Sequence, residues 1–236
     1  MPIVKEDDGP RPIDYGFGRG VPLSSRPMAA QIGAAAPMAP SATLPGPSDA
    51  HVKGVFGPAF TMPIIPIHAA VLPDGRVLYY GTNEQGQQTG KISYSVWDPK
   101  QGTGLAAHMV LPNTTATDLF CSAQSILPGG EMLLTGGDLT IDRIRGFSNN
   151  RTTIFNPANN TIRDQGAMAY ARWYPSIVSL GNGEKLILGG RENKSTGAIV
   201  PEVYQTNGTW RTLSGATSSA AFGATQAFYK WYYPRA

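Results

Sequence analysis

The chain of 236 residues contains a single cysteine, Cys121. One thiol closes no disulfide within the chain, so it is either a small buried core residue or a group with chemistry of its own. Tyr174 gives that second reading a direction. Cys121 lies nine residues before Gly130 and Tyr174 nine residues before Gly183. Both glycines close the same kind of turn between two apolar runs. Equal register sets a thiol and a phenol at the same end of neighbouring strands, where they can meet. The three histidines, His51, His68 and His108, show no such pattern and read as ordinary surface or core residues. His68 falls two residues off the Cys121/Tyr174 register.

The elements that must position this pair form a repeat. Segments 68–81, 121–137 and 174–190 superimpose: an apolar run, a two-residue turn, and a second apolar run ending in glycine. The turns are Asp74-Gly75, Gly129-Gly130 and Asn182-Gly183, dipeptides that suit tight hairpins. A third strand with aromatics follows in each repeat, at 94–97, 153–155 and 202–204, and then a fourth segment, as at 207–213. A period in the low fifties predicts an all-β, kelch-type β-propeller of four-stranded blades, the first strand of each lining a central channel. Helical periodicity is confined to a turn within 218–228. The predicted blades are 58–112, 113–170 and 171–228, with 229–236 opening a fourth. Tyr233 there repeats the local pattern of Tyr174. Since propellers close with about four to eight blades, three are expected to be part of a larger, seven-bladed ring. The rest would come from a longer protein, its C-terminal half, or another chain. Residues 1–50, rich in Pro, Ala and Gly, read as a disordered linker ahead of the partial propeller at 51–236.

Composition narrows the partners. Lys plus Arg number 19 against 16 Asp plus Glu, a net charge of +3 without a basic run. That argues against a nucleic-acid partner. No apolar stretch is long enough for a membrane span, and the first residues lack the apolar region of a signal peptide.

At PIIPIHAA (63–70), TDLFC (117–121) and ARWYPS (171–176) the chain resembles the galactose oxidase and glyoxal oxidase family of copper radical oxidases. The resemblance runs over roughly 55–236. It implies that Cys121 and Tyr174 join through a thioether at a ring carbon ortho to the phenol oxygen. It also implies that Tyr174 is an equatorial ligand of one copper ion and carries a radical. Alcohol or aldehyde oxidation removes two electrons and copper cycles by one, so a ligand radical takes up the second. Sulfur substitution lowers the potential of the phenol, and Phe120 and Trp173 offer an aromatic surround for this cofactor. Metal coordination would hold the phenol as phenolate, below its free pKa of about 10.

By the same resemblance, the full protein oxidises a primary alcohol or aldehyde with O2 and releases H2O2, outside the cell or at its surface. The remaining ligands, two histidines and a second tyrosine, lie outside this chain, which alone is expected to be inactive. The galactose-oxidising pattern places a tryptophan after the third Gly-Gly, whereas Gly189-Gly190 leads here into Arg191-Glu192-Asn193. That leans towards glyoxal-oxidase-like members. The alternative is a non-catalytic kelch module binding protein or glycan; a weaker one is a ring assembled from several copies. Arg172 reads as loop-fixing. Asp118, Asp138 and Asp142 make a weak calcium candidate. Asn113, Asn150, Asn159, Asn193 and Asn207 stand in Asn-x-Ser/Thr sequons and read chiefly as polar turns.

Overall fold

The protein is described by a computed structural model over residues 49–142, 144–225 and 228–235. The linker assigned to 1–50 lies outside these residues except for its last two. A single helical turn, α1 (Ala50–Lys53), comes first.

Three antiparallel sheets follow in chain order, each with four main strands. The first is β1 (His68–Val71), β2 (Val77–Thr82), β4 (Ser93–Trp97) and β5 (His108–Pro112), with the short β3 (Gln88–Thr89) on the end of β2. The second is β6 (Ala123–Ile126), β7 (Met132–Thr135), β10 (Arg151–Asn156) and β11 (Thr161–Ala167). A separate hairpin, β8 (Asp138–Ile141) with β9 (Ile144–Ser148), rises between β7 and β10. The third is β12 (Ser176–Ser179), β13 (Lys185–Leu188), β14 (Glu202–Tyr204) and β15 (Trp210–Thr212). A helical turn, α2 (Ser219–Phe222), falls within the expected stretch, and the two-residue strands β16 (Ala224–Thr225) and β17 (Phe228–Tyr229) follow it. Strand order within each sheet is the up-and-down order of a kelch blade, as the repeat predicts.

The hairpin turns differ in detail from the expectation. They are three-residue loops, not two-residue turns. Gly75 donates its N–H to the Leu72 carbonyl while Leu72 donates to Arg76, and the same bonds recur at Leu127/Gly130/Glu131 and Leu180/Gly183/Glu184. Only the glycine takes a positive φ, at 88°, 87° and 88° in the three turns. This is a type I turn closed by a left-handed glycine, which restores the strand twist.

The core lies between the sheets. Leu78, Tyr80, Tyr94 and Val96 of the first blade pack against Leu119, Met132, Leu134, Phe155 and Ile162 of the second. The alternate residues Leu133 and Ile154 face Tyr204 and Trp210 of the third. Period-two alternation thus serves two neighbours, and β7 is buried throughout. The first strands of successive blades adjoin: the Gln124 amide donates to the Ala69 carbonyl at 2.7 Å, and the Ser125 and Ser179 hydroxyls meet at 3.3 Å. Everything carried at the start of those strands is therefore gathered at one end.

Candidate active site

Cys121 and Tyr174 are not on the first strands, where the register analysis put them. Each stands two residues ahead of its strand, β6 or β12. Both adopt a left-handed backbone, φ 60° in each case, and Tyr233 follows at φ 43°. Such a conformation is uncommon for residues with a Cβ and persists only where neighbours hold it. Here they do. The Tyr174 N–H donates to the Cys121 carbonyl at 3.0 Å, and the Tyr233 N–H donates to the Tyr174 carbonyl at 2.8 Å. At the other end the Cys121 N–H donates to Nε2 of His68 at 3.0 Å. An amide ladder therefore steps across the blades, and the imidazole begins it.

The kelch double glycines brace the same lead-ins. Gly137 donates its N–H to the Arg172 carbonyl at 2.8 Å, and Gly190 donates to the Trp231 carbonyl at 2.7 Å. A Cβ on Gly137 would lie 2.7 Å from the Asp118 carbonyl oxygen, so no other residue fits. Beneath Tyr174, Arg172 is fully buried. It pairs with the equally buried Glu202 at 2.9 Å and donates to the Gly189 carbonyl at 2.7 Å. Arg172 is thus the loop-fixing residue expected of it.

These supports bring four predicted site residues into one buried cluster, Phe120, Cys121, Trp173 and Tyr174. The Cys121 side chain is 3% exposed and accepts hydrogen bonds from the hydroxyls of both Tyr174 and Tyr233. A hydroxyl in reach of the sulfur brings the adjacent ring carbon close, the position a thioether would occupy. Burial pushes the thiol up to about 12, with Asp138 and Asp118 adding to the effect and the two phenols opposing it. The thiol is therefore uncharged at neutral pH.

The Tyr174 ring lies against Trp173, with centroids 4.5 Å apart and planes at 36°. Tyr232 and Tyr233 meet it edge to face at 5.0 and 5.3 Å. After Gly190 the chain carries Arg191, not a tryptophan. Arg191, which stands there instead, lays its guanidinium 4.2 Å over Trp173. Arg145 does the same for Phe120 at 5.2 Å.

The acidic candidates have a structural partner in place of calcium. Arg145 bridges Asp138 at 2.7 Å and Asp118 at 3.7 Å. Asp142 occupies a left-handed turn at φ 50°. Among the described residues no group of three His, Cys, Asp or Glu could hold a metal ion. His108 is at the far strand of its blade, bonded to the Tyr79 hydroxyl at 2.8 Å and stacked on Trp97. His51 lies in α1.

His68 corrects the expectation for that residue. It stacks on Tyr80 at 5.1 Å, meets Phe120 edge-on at 6.1 Å, and its pKa is lowered to about 4 by burial. It stays neutral, with Nδ1 protonated and Nε2 accepting from Cys121. Register counting missed it because it reaches the site from the first residue of a strand. The sequence cue for Tyr233 was its repeat of the Tyr174 pattern; its contact with the cysteine became visible only in the fold.

No family model matches the chain. A galactose oxidase of Gibberella zeae is 29% identical over 169 residues, 69% of this chain and 23% of that protein. A putative aldehyde oxidase, Art an 7, of Artemisia annua is 32% identical over 93 residues, 39% of this chain and 15% of that protein. The chain thus spans about a quarter or less of the curated relatives it matches. A fungal alcohol oxidase of the AA5 family, solved in complex with copper, superimposes with a TM-score of 0.50 at 20% identity, covering 66% of this chain and 31% of that one. It shares the propeller fold. The resemblance to the galactose oxidase family read from the sequence therefore extends to curated relatives.

Proposed function

We propose that this chain is part of a copper radical oxidase of the galactose oxidase type, in which Cys121 and Tyr174 form a thioether cofactor. One observation carries the reading: the only thiol of this chain is buried against the Tyr174 phenol on the lead-ins of adjacent blades. The residues fit the chemistry in part. Tyr174 offers one phenolate ligand, with the cysteine sulfur beside it. His68 has its Nε2 occupied by the Cys121 amide, so it is not the histidine ligand sought. The remaining ligands are assigned to blades outside these residues, and these residues alone are expected to lack activity.

Copper would accept one electron of the two-electron oxidation. This chain's own residues do the rest of the local work. Tyr174 holds the second oxidising equivalent as a phenoxyl radical. The Cys121 sulfur, once attached, donates density into the ring and spreads the spin. Trp173 covers one ring face and Phe120 shields the sulfur, keeping water from the oxidised phenol. The substrate class is a primary alcohol or aldehyde, converted with O2 to an aldehyde or acid and H2O2. The absence of a tryptophan after Gly190 leans towards small aldehydes rather than a sugar. Placement outside the cell or at its surface follows from the same reading. No helix among the described residues is long and apolar enough to cross a membrane.

The test is intact mass of the full-length protein after copper loading in air. The mass should fall by two hydrogens, with the sulfur mapped to Tyr174, and Cys121→Ser should abolish the change. An unchanged mass with an alkylatable thiol would sink the reading. The second reading, a kelch module binding protein or glycan without catalysis, is favoured by the lack of a metal-holding cluster among the described residues.

A further inference from the structure

The junction between the second and third blades carries a line of polar side chains that the Cys121/Tyr174 site does not use. We propose that Ser179, with Lys185 as its general base, is an acyl-accepting nucleophile. It forms a second reactive centre, for carboxylic esters, at the far end of the strand that Tyr174 leads into. This goes beyond the oxidase reading and depends on neither copper nor the thioether.

Lys185 opens β13 and is the strand partner of Ser179, the last residue of β12. Its amine nitrogen lies 2.8 Å from the Ser179 hydroxyl oxygen, and that hydroxyl meets Ser125 of the second blade at 3.3 Å. Lys185 is 4% exposed, whereas Ser179 is open to solvent. Among the described residues the amine has no ion pair and no other hydrogen bond. Burying an ammonium without a carboxylate is costly, so burial lowers the pKa of Lys185 and favours the neutral amine. With that amine the hydroxyls can donate in one direction, Ser125 to Ser179 and Ser179 to the nitrogen lone pair. The base is then in contact with the proton it removes. The blade fold does not require these residues. At the same register, the junction between the first and second blades carries Ala70, Ile126 and Met132 in place of Ser125, Ser179 and Lys185. Met132 is 1% exposed and packs in the core. Two hydroxyls and an amine in place of an apolar trio give up favourable burial, a local departure expected where a site is built on a repeat.

In the acyl transfer the Ser179 oxygen bonds to the ester carbonyl carbon while its proton passes to Lys185 Nζ. The bond from that carbon to the alcohol oxygen breaks, and the departing alkoxide takes the proton back from the ammonium. Water repeats the sequence on the acyl-serine and releases the acid, with no change in oxidation state. Lysine suits the role because its pKa responds readily to burial. Serine with lysine is also one of the recurring forms of the activated hydroxyl nucleophile. Ser179 and Tyr174 stand at opposite ends of β12, so the two centres share a strand and no reacting group.

The experiment treats the full-length protein with an alkyl fluorophosphonate and, separately, with p-nitrophenyl acetate, and maps the adduct by peptide mass spectrometry. The expected result is a phosphonyl or acetyl group on Ser179, absent from Ser179→Ala. Lys185→Met gives the third blade the residue that the second carries at this register. It should melt no lower than the wild type and label at least about a hundredfold more slowly, the effect of losing a general base. Lys185→Arg keeps a cationic donor at that position but offers no lone pair to take the proton, so it should label as slowly as Lys185→Met. A wild-type protein with no adduct on Ser179 overturns the proposal. So does an adduct that forms at the wild-type rate in Lys185→Met or Lys185→Arg. The thioether reading stands apart from these outcomes, since it is read from the mass of copper-loaded protein that has met neither reagent.

Discussion

His68 carries the clearest acid-sensitive interaction at the site. Its neutral ring accepts from the Cys121 amide, and burial lowers its pKa to about 4. In the unfolded chain it takes up a proton near pH 6.5, before the folded form does. Stability is therefore full above about pH 6.5 and falls as pH drops towards 4, by at most about 3 kcal/mol. Urea unfolding at pH 7 and pH 4.5 should show a smaller drop in His68→Gln than in the wild type; equal drops would exclude this assignment. Cys121 gives a second expectation at this scale. Its thiol is buried and held uncharged to about pH 12. Before any cross-link forms, iodoacetamide at pH 8 should modify it at least about a hundredfold more slowly in the native protein than after unfolding, since only the thiolate reacts. A native rate close to the unfolded one would mean that the lead-in opens readily.

Among elements, the two-residue lead-ins ahead of β6 and β12 matter most, and their geometry depends on residues remote in sequence. Gly137→Ala would force a Cβ to 2.7 Å from the Asp118 carbonyl at a φ of +111°. It should cost about 2 kcal/mol or more and loosen the Tyr174 lead-in through the Arg172 carbonyl. Both effects are readable by chemical unfolding and by the rate of thiol alkylation. Arg172→Met would leave Glu202 as a fully buried, unpaired carboxylate and should cost about 3–5 kcal/mol. The double variant Arg172→Met, Glu202→Leu should cost less than Arg172→Met alone. A larger cost for the double variant would show that the pair's hydrogen bonds to the Gly189 carbonyl and the Ala169 amide outweigh its charges.

In the molecule as a whole, stability is shared between blades, not contained within them. Phe155 is fully buried and meets Tyr94 of the first blade edge to face at 5.7 Å. Phe155→Ala should cost about 3–5 kcal/mol, and it should lower the unfolding midpoint seen by probes on both blades together. Separate midpoints for the two blades would contradict a shared core. The same sharing explains how a cysteine and a tyrosine 53 positions apart come to lie side by side: each is carried by the leading edge of its own blade.

The repeat spacing, the hairpin glycines and the paired apolar runs around them were enough to specify the blades, because these are local properties of period and turn. They also paired Cys121 with Tyr174, since equal distance from a turn fixes equal height on adjacent strands. Phe120 and Trp173 followed as their chain neighbours. Counting along the chain could not show that both residues stand in left-handed lead-ins, because that conformation is imposed by amide bonds to the neighbouring blade. Nor could it show His68 beneath Cys121, Arg191 over Trp173, or Tyr233 on the sulfur. Those contacts join residues with no common period. Only the packing of one blade against the next brings them within reach.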